Sequence, residues 1–255
     1  MPIEIELFTA RDDNFGVLVH NNASNITISI DAPEEAAILA ALKRKGWSLD
    51  YILTTHKHPD HVEANLALKA AFECKIIGPD GDKAVIPGID QTVKGGDRLT
   101  LGTLDIEVID TPGHTNACIS YYVPAAKSVF TADSLFSLGC GRIFDGTPEM
   151  MWASMQRLMA LPHNTKIYCG HEYTASNARF ALSVDPDNVD LQARAGQVTL
   201  LRDQGQPTLP VTLAQELATN PFLRVADPAI RLHLGMEHAP DVEVFTELRT
   251  RKNTF

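Results

Sequence analysis

Three histidines and an aspartate fall within six consecutive positions, His56, His58, Asp60 and His61, directly after the apolar run Tyr51-Ile52-Leu53. Imidazoles and carboxylates at this density are donors for a first-row divalent metal. A folding core avoids them, because a buried polar group without a partner costs on the order of 2–7 kcal/mol. His56 and His58 lie two apart, so an extended loop turns both rings to one side. Asp60 and His61 follow where the chain turns into a helix, and Pro59 stiffens the loop between the two pairs. Adjacent residues point apart, so these four ligands fit two ions better than one: His56 with His58, and Asp60 with His61. Mixed imidazole and carboxylate ligation suits zinc, iron or manganese. Paired ions of this kind support hydrolysis.

Three further donors each end a strand-like segment. Residues 104–109 run into Thr111-Pro112-Gly113 and His114, residues 128–132 into Asp133, and residues 166–169 into Gly170 and His171. Glycine before each of these two histidines lets the backbone bend and the ring turn into a cleft. In layered α/β folds, sites gather at strand ends, where loops meet a rigid sheet.

The elements that must position these donors follow from the rest of the pattern. Residues 3–8, 15–20 and 26–30 read as successive antiparallel strands, separated by Asp12-Asp13-Asn14 and Asn21-Asn22. A helix is expected from Asp31, with Pro33 in its first turn, to a stop at Gly46. A second should run from Val62 to about Phe72, and a third should open at Thr147-Pro148-Glu149. Residues 97–109 read as a hairpin around Leu101-Gly102-Thr103. Locally paired strands with helices to cover two faces predict an αββα sandwich of the α+β class. After Tyr173 the strand patterns vanish, and helical stretches are expected at 175–184, 189–203, 212–218 and 241–252, with Thr212 and Gln215 as a capping box. The chain is therefore expected to divide into a domain that carries the donors, 1–173, and a small all-helical domain, 174–255.

Composition excludes several classes. The chain has 255 residues, 44% hydrophobic, and a net charge of −10, which opposes broad nucleic-acid or anionic-membrane binding. No stretch approaches the ~20 apolar residues of a membrane span. The start, Met1-Pro2-Ile3-Glu4-Ile5-Glu6, is acidic and alternating, unlike a signal or transit peptide. Cys74, Cys118, Cys140 and Cys169 have no framework spacing, so reduced thiols in the cytoplasm are expected. A monomer is expected, although no residue pattern marks the oligomeric state.

Thr55-His56-Lys57-His58-Pro59-Asp60-His61, the later Pro112-Gly113-His114, Asp133 and Gly170-His171-Glu172-Tyr173 resemble, in that order, the metallo-β-lactamase superfamily. Residues 139–147, Gly170-His171-Glu172-Tyr173-Thr174, Asn220-Pro221-Phe222-Leu223-Arg224 and the tail from Arg249 to Phe255 narrow the resemblance to glyoxalase II, the hydroxyacylglutathione hydrolases. The resemblance implies two divalent ions, zinc being expected and iron or manganese compatible. His56, His58 and His114 would hold one, Asp60, His61 and His171 the other, and Asp133 would bridge both. It implies hydrolysis of S-D-lactoylglutathione or a related 2-hydroxyacyl thioester, with a place in methylglyoxal breakdown. Asp60 could also orient the attacking water or carry its proton. Arg249 and Lys252, on one face of the last helix, match positions that bind glutathione carboxylates, although cations there also complement the helix dipole. Arg142 and Tyr173 match further glutathione contacts; Phe144 stands where some members have tyrosine and lacks its hydroxyl.

Other donors have plainer readings. His20, His163, His233 and His238 read as surface or capping residues, Cys169 as a small core residue in preference to one sharing the metal-facing side of its strand, and Asp12-Asp13-Asn14 as an ordinary turn in preference to a loop bordering the cleft. Three rivals share parts of the pattern: a glutathione persulfide dioxygenase with one iron, an exported β-lactamase, and a non-catalytic binder of metal or thiol conjugates. The first fits the helical tail less well. The second would carry a signal peptide, and the third would not need the complete donor set.

Overall fold

The computed structural model describes residues 3–255, so the first two residues of the acidic N-terminal run lie outside it. Two compact units are built, one from the described residues up to Asp110 with Ala117–Phe130, the other from Thr111–Asn116 with Thr131–Phe255.

In the first unit, β1 (Ile3–Ala10), β2 (Asn14–Asn21) and β3 (Ile26–Ile30) pair antiparallel, with Leu7 opposite Val17 and Val19 opposite Ile28. The chain then leaves the sheet through α1 (Glu35–Lys45) and returns as β4 (Tyr51–Leu53), parallel to β3. Helices α2 (Pro59–Val62) and α3 (Asn65–Phe72) precede β5 (Lys75–Pro79) and β6 (Gln91–Val93), also parallel, completing the order β1-β2-β3-β4-β5-β6. Ile38 and Leu42 of α1 and Leu68 of α3 pack with Leu18, Ile52 and Ile76 in one buried cluster, so the helices cover one face of this sheet. A second, antiparallel sheet starts with β7 (Arg98–Leu101) and β8 (Leu104–Asp110), then β9 (Ile119–Val123) and β10 (Ser128–Ala132). It is joined to the first by Tyr121 Oη donating to Thr54 O (2.8 Å) and Asn21 Nδ2 to Thr103 Oγ1 (2.9 Å). The expected α+β sandwich is thus present.

In the second unit, the end of β10 is followed by the small hairpin β11 (Leu135–Phe136) and β12 (Gly139–Cys140). Helix α4 (Pro148–Met159) is capped by Thr147 and buries Met151, Met155 and Leu158. Then come β13 (Lys166–Cys169), α5 (Thr174–Val184) and α6 (Val189–Asp203). A strand returns beyond Tyr173, against expectation: β14 (Val211–Thr212) pairs antiparallel with β13, a two-residue match too short to leave an alternating pattern. Helices α7 (Leu213–Thr219), α8 (Pro228–Leu234) and α9 (Asp241–Thr254) complete the chain, and the capping box at Thr212 and Gln215 is formed. The aromatic rings of Phe180, Phe222, Phe245 and Trp152 pack in sequence with centroids 5.7–5.9 Å apart, tying α5, α9 and α4 together.

Two expected helices change. The helix anticipated from Asp31 begins only at Glu35, because Asp31 is left-handed (φ 57°) and its carboxylate is engaged elsewhere. The stretch 62–72 breaks into α2 and α3. No helix among the described residues is long and apolar enough to cross a membrane. Gly46 ends α1 in the left-handed region (φ 70°), with nothing near the position of an added Cβ. Gly46→Ala should therefore lose roughly 1–2 kcal/mol of stability through backbone strain alone, read from urea unfolding midpoints.

Candidate metal centre

The first four donors lie in the first unit, on the loop leaving β4. His56 is fully buried; its Nε2 is 3.1 Å from His58 Nδ1, and its Nδ1 is 3.0 Å from Thr55 Oγ1. His61 Nε2 lies 3.6 Å from Asp60 Oδ2. What aims these groups is Asp31. Its carboxylate accepts from Thr55 N (2.7 Å), from Thr55 Oγ1 (2.8 Å) and from His61 Nδ1 (2.8 Å). The proton of His61 is thereby held on Nδ1, and Nε2 presents its lone pair. Asp60 is held in turn by Asn14, whose amide donates to Oδ2 (3.1 Å) and to the backbone carbonyl (3.3 Å).

The other three donors lie in the second unit. Asp133 follows Ala132, which sits in the left-handed region at φ 41°, a conformation that costs a non-glycine residue on the order of 1–3 kcal/mol. His114 Nε2 and His171 Nε2 approach the same oxygen, Asp133 Oδ2, at 3.5 and 3.4 Å. His114 follows Gly113 (φ 140°), where a side chain would collide with Met151, and its Nδ1 donates to Arg142 O (2.8 Å). Gly170 acts differently from Gly113: it is absent from the positive-φ positions of the described residues, and its amide donates to Ala132 O (2.9 Å), drawing His171 toward Asp133. Gly141 lies against both ligands; a Cβ there would overlap the Asp133 carbonyl and come within 3.2 Å of His114 Nδ1.

These donor sets fit divalent ions. Ligand atoms 2.0–2.1 Å from a tetrahedral metal stand roughly 3.3–3.4 Å from one another. Within each unit the donor pairs lie 3.1–3.6 Å apart. Both late imidazole edges converge on a carboxylate oxygen at distances longer than good hydrogen bonds. Backbone or carboxylate acceptors on the opposite nitrogens of His61 and His114 are the usual outer support of metal-binding imidazoles. Burial disfavours the thiolate at both neighbouring cysteines, pushing Cys169 up to about 12 and also raising Cys140.

The expected substrate residues occupy the second unit. Arg142 and Phe144 are exposed; the Phe144 ring packs edge-on against His114, with centroids 5.2 Å apart. Tyr173 lies parallel to His171 at 4.8 Å. Lys252 is half-buried, 3.3 Å from Ser176 Oγ and between the rings of Phe180 and Phe255. Burial, then Arg249, Arg179 and Arg142, lower its ammonium to about 8. Arg249 is only 5% exposed, and its guanidinium donates to the Cys140 carbonyl.

Sequence reasoning missed Asp31, Asn14 and Gly141. Asp31 carried a signal: it ends β3 as His114, Asp133 and His171 follow the ends of theirs. Asn14, weighed as part of a loop bordering the cleft, reads from sequence as an ordinary turn. His20, expected as a surface or capping residue, is a buried residue of β2, bonded to Thr27 Oγ1 (2.9 Å) and stacked on Trp47. His163, His233 and His238 are exposed as expected.

Residues 27–171 match the family model of the metallo-beta-lactamase superfamily, and residues 172–255 match that of the hydroxyacylglutathione hydrolase C-terminus. A hydroxyacylglutathione hydrolase of Mesorhizobium japonicum is 60% identical over 255 residues, all of both chains. Among solved structures, ETHE1 from Myxococcus xanthus has a TM-score of 0.68 at 23% identity, covering 100% of this chain and 99% of that one. A di-iron-bound form of TTHA1623 has a TM-score of 0.62 at 24% identity, covering 86% of this chain and 100% of that one. These last two share the fold. Because one model spans every ligand loop, the other spans the tail, and the identity runs end to end, the chain belongs to the hydroxyacylglutathione hydrolase family of the metallo-beta-lactamase superfamily.

Proposed function

We propose that the protein hydrolyses S-(2-hydroxyacyl)glutathione thioesters, chiefly S-D-lactoylglutathione, to glutathione and D-lactate. The observation that carries this reading is the full-length 60% identity to a hydroxyacylglutathione hydrolase, which includes both the ligand loops and the tail. In this reading residues 1–173 form the catalytic domain and 174–255 the substrate domain, in a cytoplasmic monomer whose cysteines stay reduced. All four cysteines being buried thiols supports the compartment.

His56, His58 and His114 would hold one divalent ion and Asp60, His61 and His171 the other, with Asp133 between them; zinc is the first choice. Bound there, the ions would supply an acidified water and polarise the thioester carbonyl. The chain's own residues do the rest. Asp60, steadied by the Asn14 amide, orients the attacking water and receives its proton. Lys252 takes a glutathione carboxylate, with exposed Arg142 and Tyr173 as further contacts, so the peptide part of the substrate is held while the acyl group reacts. The departing thiolate needs no general acid, because a thiol pKa of about 8.5 already makes it a fair leaving group.

Metal analysis and S-D-lactoylglutathione turnover on one purified sample test this reading. Two ions per chain with rapid hydrolysis are expected. Oxygen uptake with glutathione persulfide, one iron and no hydrolysis would replace it with the dioxygenase, and tight conjugate binding without turnover with the non-catalytic binder. Asp133→Asn should lose bound metal and activity together, by roughly 100-fold or more in kcat; a fully active variant with two ions refutes the bridge. Lys252 gives a pH test. Its charged form prevails below about 8, so KM for the glutathione thioester should rise as pH climbs through that value. Lys252→Arg should flatten the rise and Lys252→Ala should raise KM already at pH 7, while a short thioester without the tripeptide is unaffected. Equal changes for both substrates would remove the anion site.

A further inference from the structure

Of Gly170-His171-Glu172-Tyr173, Glu172 alone has no part in the chemistry above. Its side chain is only 9% exposed, and its carboxylate is directed at the connection between α6 and β14. Oε2 accepts from Thr208 N (2.8 Å), Oε1 accepts from Thr208 Oγ1 (2.7 Å), and Arg202 Nη1 lies 3.5 Å from Oε2. Hydrogen bonds to an ionised acceptor are shorter and roughly twice as strong as neutral ones. Thr208 is held on its other polar atoms as well. Its Oγ1 is 2.6 Å from Thr174 Oγ1, and its carbonyl accepts from Nη2 of buried Arg194 (3.0 Å). Buried polar networks of this kind fix one arrangement of the chain. The arrangement fixed here is that of a metal ligand. On one side of His171, Gly170 N donates to Ala132 O (2.9 Å); on the other, Glu172 is fastened to Thr208. The segment that bears Thr208 also runs along the strand that delivers the ligand, with Val211 opposite Ile167 and Thr212 opposite Lys166. A ligand atom displaced by more than about 0.2 Å leaves the range of good metal bonds, so slack at residue 172 is felt at His171.

We propose that Glu172 is a positioning residue for the metal ligand His171, acting through Thr208. The carboxylate fastens the chain just beyond β13 to the connection between α6 and β14, so that the imidazole keeps one place and direction. The proposal rests on the metal-centre reading above, but its first readout needs no substrate.

The test is zinc titration of chelator-stripped full-length protein, for wild type, Glu172→Met, Thr208→Val and Thr208→Ser, at a temperature where circular dichroism shows each folded. Val198→Ala, which removes buried methyls from α6, is the control for loosened packing. Glu172→Met, which keeps the apolar stem and removes both acceptors, should weaken one of the two ions about 10-fold and leave the other within about twofold of wild type. Thr208→Val, of the same shape as threonine but without its hydroxyl, should act in the same direction, and Thr208→Ser should restore the loss. The double variant Glu172→Met with Thr208→Val should bind no more weakly than Glu172→Met alone, because both changes cut one tie. Unchanged affinity for both ions with a raised KM would overturn the proposal in favour of a substrate contact. Unchanged affinity with only a lower melting temperature would reduce Glu172 to a packing residue, and so would an equal weakening of both ions matched by Val198→Ala. Should Glu172→Met not fold, Thr208→Val against Thr208→Ser carries the decision: one ion held several-fold more weakly by the valine variant supports the tie, and equal affinities refute it. Failure of wild type to hydrolyse the thioester while binding two ions would sink the proposed function and leave the tie standing.

Discussion

An imidazole ligates metal only through the nitrogen that does not carry its proton, so the acceptor on the other nitrogen decides whether a histidine is a ligand at all. Everything distinctive about this molecule serves that constraint. Asp31 takes the Nδ1 proton of His61, and the backbone of Arg142 takes that of His114. Neither acceptor is near its histidine in sequence. Both must be held to within a few tenths of an ångström, because a hydrogen bond weakens steeply with angle and distance.

The fold meets that demand by placing ligands just beyond strands and spending local strain to aim them. Ala132 at φ 41° and Asp31 at φ 57° are conformations that most side chains avoid. Both are fixed by hydrogen bonds. Asp31 is bound by Thr55 and His61, and the Ala132 carbonyl by the Gly170 amide. Glycine is needed at 141 for a different reason, since no side chain fits between the Asp133 carbonyl and the His114 ring.

The helical tail holds itself together through aromatic packing, with Phe180, Phe222, Phe245 and Trp152 in series and Arg249 over Phe222. A second buried polar hub reinforces the segment after Asp133. Glu216, its carboxyl raised by burial, accepts from Ser137 Oγ and Leu138 N, while Asn220 donates to Phe136 O and Gly139 O. Fully satisfied networks of this kind specify one arrangement of a loop. The motif Asn220-Pro221-Phe222-Leu223-Arg224 therefore has a structural meaning: its first residue ties the hairpin and its third seats the cation.

The amino-acid order alone pointed to the candidate donors and determined the strands that precede them, the sandwich class and most helix limits, including 189–203 without error. Those features are local: periodicity, caps and strand-end polar residues are visible within a dozen positions. The supporting groups were not visible, since Asp31 looked like a helix start and Asn14 like a turn. Their roles depend on partners 24 to 46 positions away. The same holds for the contacts of Arg249 with the Cys140 and Gly141 carbonyls, which lie 109 and 108 residues upstream. Spacing tells which side of a helix a residue occupies; only the packed chain decides whether that side meets solvent, ligand or another backbone.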